Sequence, residues 1–155
     1  MGSLRKAELS DIDAVAEILI QTRKAFMPYA SLAHTEVEVH QWVMEVLIPS
    51  GGVTVYEEND SVLGMIAVSR DKKTSWIEQL YVTPSMVGEG IGTKLLDEAI
   101  KTLQKPIRLY TFQQNTGARR FYERFGFQAI AFSDGQENEE KCPDVLYELL
   151  DDPTR

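Results

Sequence analysis

Cysteine occurs once, at Cys142, and histidine twice, at His34 and His40. A single thiol forms no internal disulfide, and so few soft ligands supply none of the spacings that zinc sites use; no metal is expected. With two histidines six residues apart and no nucleophile motif beside them, a histidine-based triad has no support. No stretch approaches the roughly 20 consecutive apolar residues of a membrane helix, and the opening MGSLRKAELSD lacks the apolar core of a secretory signal. The expectation is a soluble, cytoplasmic protein that does not engage a membrane. Basic charge is also scarce. Sixteen Lys and Arg face 24 Asp and Glu, for a net charge of −8, and residues 134–152 hold eight acids with Lys141 as their one base. That balance argues against nucleic acid, whose binding rests on counterion release by basic surface. It suits a cationic partner, or simply a solvated face.

What the chain does have is clear periodicity. Its 155 residues and 43% hydrophobic content suit one domain, 1–155, with residues 1–3 open to being a cloning remnant. Ser10 and Asp13 resemble an N-cap pair for a first helix over residues 11–24, with Ile12, Val15, Ala16 and Leu19 at helical spacing. A capping box at Thr35 and Glu38 opens a second helix, which directs Val39, Trp42, Val43 and Val46 inward and ends at Pro49 to Gly52. The period then changes to two. VTVYEE and SVLGMIAVSR flank Asn59-Asp60, a pair that tolerates tight hairpin turns, and TSWIEQLYV follows until Thr83-Pro84 stops it. Ile91, Leu95, Leu96, Ala99, Ile100 and Leu103 mark a helix face closed by Pro106, and IRLYTF reads as a strand. Asn115 or Thr116 caps a last helix with a stripe of Ala118, Phe121, Tyr122 and Phe125, and Gly126 falls at the αL exit. The strands FQAIAF and VLYELL finish the chain. This order implies an α+β sheet of mixed strand direction.

The stretch VGEGIGTKLL, residues 87–96, joins a strand to a helix through glycines at every second position. It fits neither the GxxxxGK[ST] phosphate loop nor the GxGxxG dinucleotide fingerprint. A glycine turn entering a helix N-terminus nevertheless exposes unpaired N–H groups and a positive dipole end, which suits a di-anion. The alternative is a tight turn whose glycines only allow unusual backbone angles. A second cluster, NTGARRFYERFGF at residues 115–127, accompanies it.

Together the two clusters resemble the GNAT superfamily of N-acetyltransferases. LYVTPSMVGEGIGTKLL is similar to that family's fourth strand, pyrophosphate loop and third helix, with Val87 where Gln or Arg is usual. NTGARRFYERFGF is similar to its Asn-x-x-Ala-x-x-Phe/Leu-Tyr-x-x-x-Gly-Phe segment. The resemblance implies an α+β fold with a mixed, mainly antiparallel central sheet of six to seven strands and about four flanking helices. It implies acetyl-CoA as co-substrate, held by Leu80, Tyr81, Val82, Val87, Gly88 and Glu89, by Gly90, Ile91, Gly92 and Thr93, and by Asn115, Ala118, Arg119 and Tyr122.

An alkylammonium has a pKa near 10.4 and no lone pair, so an amine acceptor must lose a proton before it attacks. Glu78 is the candidate base, or else a solvated strand residue. The resemblance makes Tyr122 the general acid, against a reading as a core aromatic, and aims the N–H of Leu80 or Val82 at the oxyanion. Asn115 either contacts the pantetheine or serves as an N-cap, or both. Phe26, Tyr29, His34 and Asn138 are the expected acceptor contacts. The implied reaction is direct transfer in a ternary complex to a small-molecule amine or a protein or peptide amino group, with a homodimer left open. A non-catalytic acyl-CoA sensor and a transferase using another donor, such as succinyl-CoA, are the alternatives.

Overall fold

The computed structural model describes residues 2–28 and 34–150. Seven strands form one sheet in the order β1-β2-β3-β4-β5-β7-β6. They are β1 (Ser3–Lys6), β2 (Val53–Glu58), β3 (Ser61–Arg70), β4 (Ser75–Val82), β5 (Ile107–Phe112), β6 (Gln128–Ser133) and β7 (Asp144–Leu149). Every neighbouring pair is antiparallel except β4 and β5. Four helices cover the two faces: α1 (Ile12–Phe26), α2 (Glu36–Trp42), α3 (Ile91–Thr102) and α4 (Thr116–Arg124).

Alternation along the strands sends side chains into two separate cores. On one face Val15, Ala16 and Ile20 of α1 meet Val55 and Met65, joined by Val39 and Val43. On the other, Leu95 and Leu96 of α3 meet Ile107, Leu109, Val145 and Tyr147, closed at one end by Phe127. The β2–β3 turn is tight because Asn59 and Asp60 both take positive φ, 52° and 63°.

Three expectations are corrected. Glu8, not Ser10, caps the entry to α1, and it shares a reciprocal capping box with Asp11, whose carboxylate accepts from the Glu8 N–H at 2.7 Å. The Thr35–Glu38 box does open α2, but Trp42 and Val46 face solvent at 39% and 53% exposure. The buried stripe is Val39, Val43 and Leu47, because the helix continues as a wider π-helical turn over Val43–Leu47 and keeps every fourth residue inward. Finally, β1 adds an edge strand that starts at Ser3, paired with Glu57.

Arg5 of β1 ties that edge down. Its guanidinium donates twice to Asp11, both at 2.9 Å, and twice to Glu57, at 3.0 and 3.2 Å. The hydrogen bonds from Arg5 hold both carboxyl groups below their ordinary values. Groups with depressed pKa stabilise the fold above the unfolded-state value and lose that contribution as pH falls. Asp11 is 4% exposed, so Arg5→Ala leaves a buried carboxylate without its cation. The expected loss is about 2 kcal/mol at pH 7, below that of a fully buried pair because Arg5 is partly in water. In chemical denaturation the gap between variant and parent should narrow as pH falls from about 4, the ordinary carboxylate value, down through the depressed values that Arg5 imposes in the folded parent.

Candidate active site

The sheet is split. The ladder between β4 and β5 consists of Ser75↔Ile107 and Trp76↔Arg108, and past it the strands part. A bulge in β4 explains where: Val68 pairs with Ile77 and Ala67 with Gln79, so Glu78 has no partner across the ladder. A bulged strand bends, and this bend begins one residue beyond the last pair with β5. It also shifts the alternation, so Ile77, Leu80 and Val82 all pack toward the core under α3 and α4. Glu78 therefore does not share the face of Leu80 and Val82, as simple alternation along the strand would have it. Thr22 of α1 donates to the Val82 carbonyl at 3.3 Å and tethers the far end of the strand. Between the lips lies a cleft of about 1100 Å³.

One wall is the glycine turn. Gly88 and Gly90 have φ of +89° and +85°, left-handed values that favour glycine. A Cβ at either would meet nothing within 4 Å, so the ground above the turn is open and the requirement is purely of the backbone. Gly90 is the N-cap of α3 and offers no capping side chain, which leaves the first N–H groups of the helix unsatisfied. Gly92 faces Phe121 and Val82, where an added Cβ would make ordinary contacts of 3.6 and 3.7 Å, and Ile91 is buried as the anchor. Basic side chains contribute little here. Lys94 sits over the Tyr56 ring at 5.4 Å, and Val87 is 55% exposed. Gly88, Gly90, Ile91, Gly92 and Thr93 line the cleft together with Val87, whereas Glu89 does not.

The β4 lip supplies donors. Thr83 N–H donates to Leu63 O on β3 at 2.8 Å, and with alternation intact from there back to Leu80, the N–H groups of Val82 and Leu80 turn the other way, toward the cleft. Glu78 lines the same lip, is exposed, and accepts from Ser69 Oγ at 2.7 Å.

α4 forms the floor. Asn115 caps it, its Oδ1 accepting from Ala118 N–H at 3.1 Å, and both residues line the cleft. Tyr122 is 8% exposed and is wedged edge-on against Phe121 and Phe127, with ring centroids 5.4 and 5.8 Å apart. Burial, and secondarily the nearby Tyr81, pushes its hydroxyl well above the ordinary phenol value, so it stays protonated. Tyr81 is raised likewise, mainly by burial. Arg119 points elsewhere: its guanidinium donates to Tyr147 Oη at 3.0 Å and to Gln113 O at 3.4 Å. The basic residue of α4 that lines the cleft is Arg124, which the sequence reading missed; its one signal was its place one turn beyond Phe121.

At the acceptor end Phe26 lines the cleft, half exposed, while Tyr29 lies outside the described residues. His34 does not line it; its ring nitrogens lie 3.1 Å from Glu139 and 3.9 Å from Glu38. Asn138 does, but its amide binds the loop to itself, donating to Cys142 O and Asp144 Oδ2 and accepting from Cys142 N–H. It shapes the wall through that loop. Unforeseen were Arg23 of α1 and Glu140, which close an ion pair of 3.3 Å at this end. Among the described residues no group of three or more His, Cys, Asp or Glu is arranged to hold a metal ion, and no helix is long and apolar enough to cross a membrane.

The cleft thus lies at the fork of a mixed sheet, beside a turn of open backbone. The acetyltransferase (GNAT) family model matches residues 16–127, and the chain belongs to that family. An uncharacterized N-acetyltransferase of Archaeoglobus fulgidus is 28% identical over 131 residues, 77% of this chain and 88% of the relative. The spermine/spermidine N(1)-acetyltransferase of Bacillus subtilis is 36% identical over 58 residues, 34% of this chain and 38% of that enzyme. In fold, the PaiA N-acetyltransferase of Thermoplasma acidophilum, crystallised with coenzyme A, superposes with a TM-score of 0.75 at 20% identity, covering 97% of this chain and 99% of the other.

Proposed function

We propose that the protein transfers acetyl from acetyl-CoA to a primary amine by direct attack, both substrates being bound together in the cleft. The observation that carries this reading is one cleft lined both by the open Gly88–Gly90 cradle and by the protonated Tyr122 hydroxyl. A pyrophosphate fits the chemistry of the cradle, which offers unpaired N–H groups and a helix N-terminus with open space above. When bound, acetyl-CoA supplies a thioester carbonyl activated toward nitrogen.

The chain's own groups then divide the work. Leu80 and Val82 present N–H groups to a carbonyl oxygen as it gains negative charge. Glu78, at the bulge, takes the proton of the acceptor ammonium through water. Tyr122 holds a proton for the departing thiolate. In sum a C–N bond forms and a C–S bond breaks; nitrogen gives up two protons on passing from ammonium to amide, of which one is released to solvent through Glu78 and the other balances the proton that Tyr122 delivers to sulfur. Asn115, through its cap, keeps the start of α4 in place beside the cleft.

A thiol-release assay with acetyl-CoA and a panel of amines, spermidine among them, tests the reading. Acceptor-dependent release of CoA is expected. If acetyl-CoA raises the melting temperature while no amine in the panel is consumed, the cleft belongs to a sensor and not to an enzyme. Because the cradle is backbone, a charge restored at its edge should strengthen it. Val87→Arg should tighten acetyl-CoA about threefold by calorimetric titration, the scale of one exposed charge contact; unchanged affinity would place Val87 outside the phosphate register.

A further inference from the structure

The Arg23 guanidinium is incompletely satisfied where it is buried. Its guanidinium carries five N–H donors, yet its one ion pair is a single contact of 3.3 Å from Nη2 to Glu140. Nε is buried and has no hydrogen-bond partner, and it is alone in that among the buried side-chain polar atoms of the described residues. The group rests over the Phe112 ring at 5.6 Å and acts on the Tyr81 hydroxyl both by charge and by a hydrogen bond, which leaves Nε as the donor without a partner. A buried donor left unpaired is costly, so a native site that keeps one invites an explanation.

Position supplies it. Arg23 stands one residue beyond Thr22, whose hydroxyl grips the β4 lip, so α1 carries the guanidinium to the acceptor end. The basic side chains that line the cleft are Arg23 and Arg124, the latter stacked on Phe121 of α4. The acids there are Glu78, Glu137, Glu140 and Asp144. A polyamine would meet attraction from the carboxylates but repulsion from Arg23, and would leave Nε unpaired. A molecule bearing both an amine and a carboxylate satisfies both signs. Its carboxylate can take the planar fork that Glu140 fills with one contact, and its ammonium meets the acids.

Building on the acetyltransferase reading above, we infer that Arg23 anchors a carboxylate of the acceptor, and that the acceptor is therefore a small aminocarboxylate. Glu140 holds the guanidinium until that carboxylate replaces it. Specificity of this kind acts through the pairing of a buried polar group, which discriminates more sharply than apolar fit.

Matched pairs decide the matter: β-alanine with ethylamine, 4-aminobutyrate with propylamine, phenylalanine with phenethylamine, and spermidine beside them. For at least one pair the carboxylated member should show kcat/KM at least tenfold above its partner and above spermidine. In Arg23→Gln that ratio should fall below twofold, and Arg23→Lys should retain part of it. A preference for spermidine or for the decarboxylated amines overturns the inference, as does an Arg23→Gln variant that lowers both members equally, the signature of a merely structural ion pair. Calorimetric titration of the same compounds without acetyl-CoA gives an answer independent of turnover. Binding of the aminocarboxylate that disappears in Arg23→Gln upholds Arg23 as the anchor even if no amine is acetylated, a result that would instead sink the acetyltransferase reading. Titrations that do not distinguish the pair members overturn it.

Discussion

Tyr122→Phe is expected to lower kcat for acetyl transfer about 100-fold and to leave acetyl-CoA affinity within about twofold, the scale on which one positioned proton donor contributes. The variant is a clean one. Phe keeps the ring contacts with Phe121 and Phe127. Stability should stay within about 0.5 kcal/mol of the parent, as for other substitutions that create neither cavity nor unpaired group. Because burial raises the pKa, the hydroxyl remains protonated through the whole working range, and its ionisation adds no falling limb to the rate profile below about pH 10. A rise with pH is expected from the acceptor amine, which must lose its proton before it attacks. Wild-type kcat in Tyr122→Phe would return this residue to the core.

The second large effect belongs to Gly90. Alanine at φ +85° carries a left-handed penalty of about 1–2 kcal/mol, and since its Cβ would touch nothing, that penalty is wholly conformational. Relief comes through rotation of the peptide at the start of α3, which turns the unpaired N–H groups away from the cradle. Gly90→Ala should therefore weaken acetyl-CoA at least tenfold by calorimetric titration, and lower the melting temperature by about 3–6 °C for a chain of this size. Full affinity with the same loss of stability would separate the turn from phosphate binding.

Local signals were readable in the sequence, and long-range ones were not. The Thr35–Glu38 box, the Asn59-Asp60 turn, the Asn115 cap and the left-handed Gly126 each depend on a few adjacent residues, and each stands where it was expected. The cradle was legible for the same reason. By contrast, β1 is four residues without a clear alternation; it becomes a strand by pairing with β2 some 50 residues away. Trp42 looked inward because helical spacing assumes an unbroken α-helix, whereas a π turn rotates the stripe. Arg23 and Glu140 are 117 residues apart, and neither sits in a recognisable motif. The glycine turn and the start of α4 were thus written in continuous segments, while the Arg23–Glu140 end of the cleft is assembled from α1 and the β6–β7 loop.

The fork in the sheet has a mechanical meaning as well. Main-chain continuity between β1–β4 and β5–β7–β6 consists of two residue pairs, braced by the stacking of Trp76 on Tyr110 at 5.8 Å. In terms of cooperativity the seven strands are a four-stranded plate and a three-stranded plate on a short hinge. The two plates share the core under α3, and the cleft is the seam between them. Any molecule that hydrogen-bonds both lips becomes the missing rungs of the ladder, so occupancy and rigidity of the seam rise together.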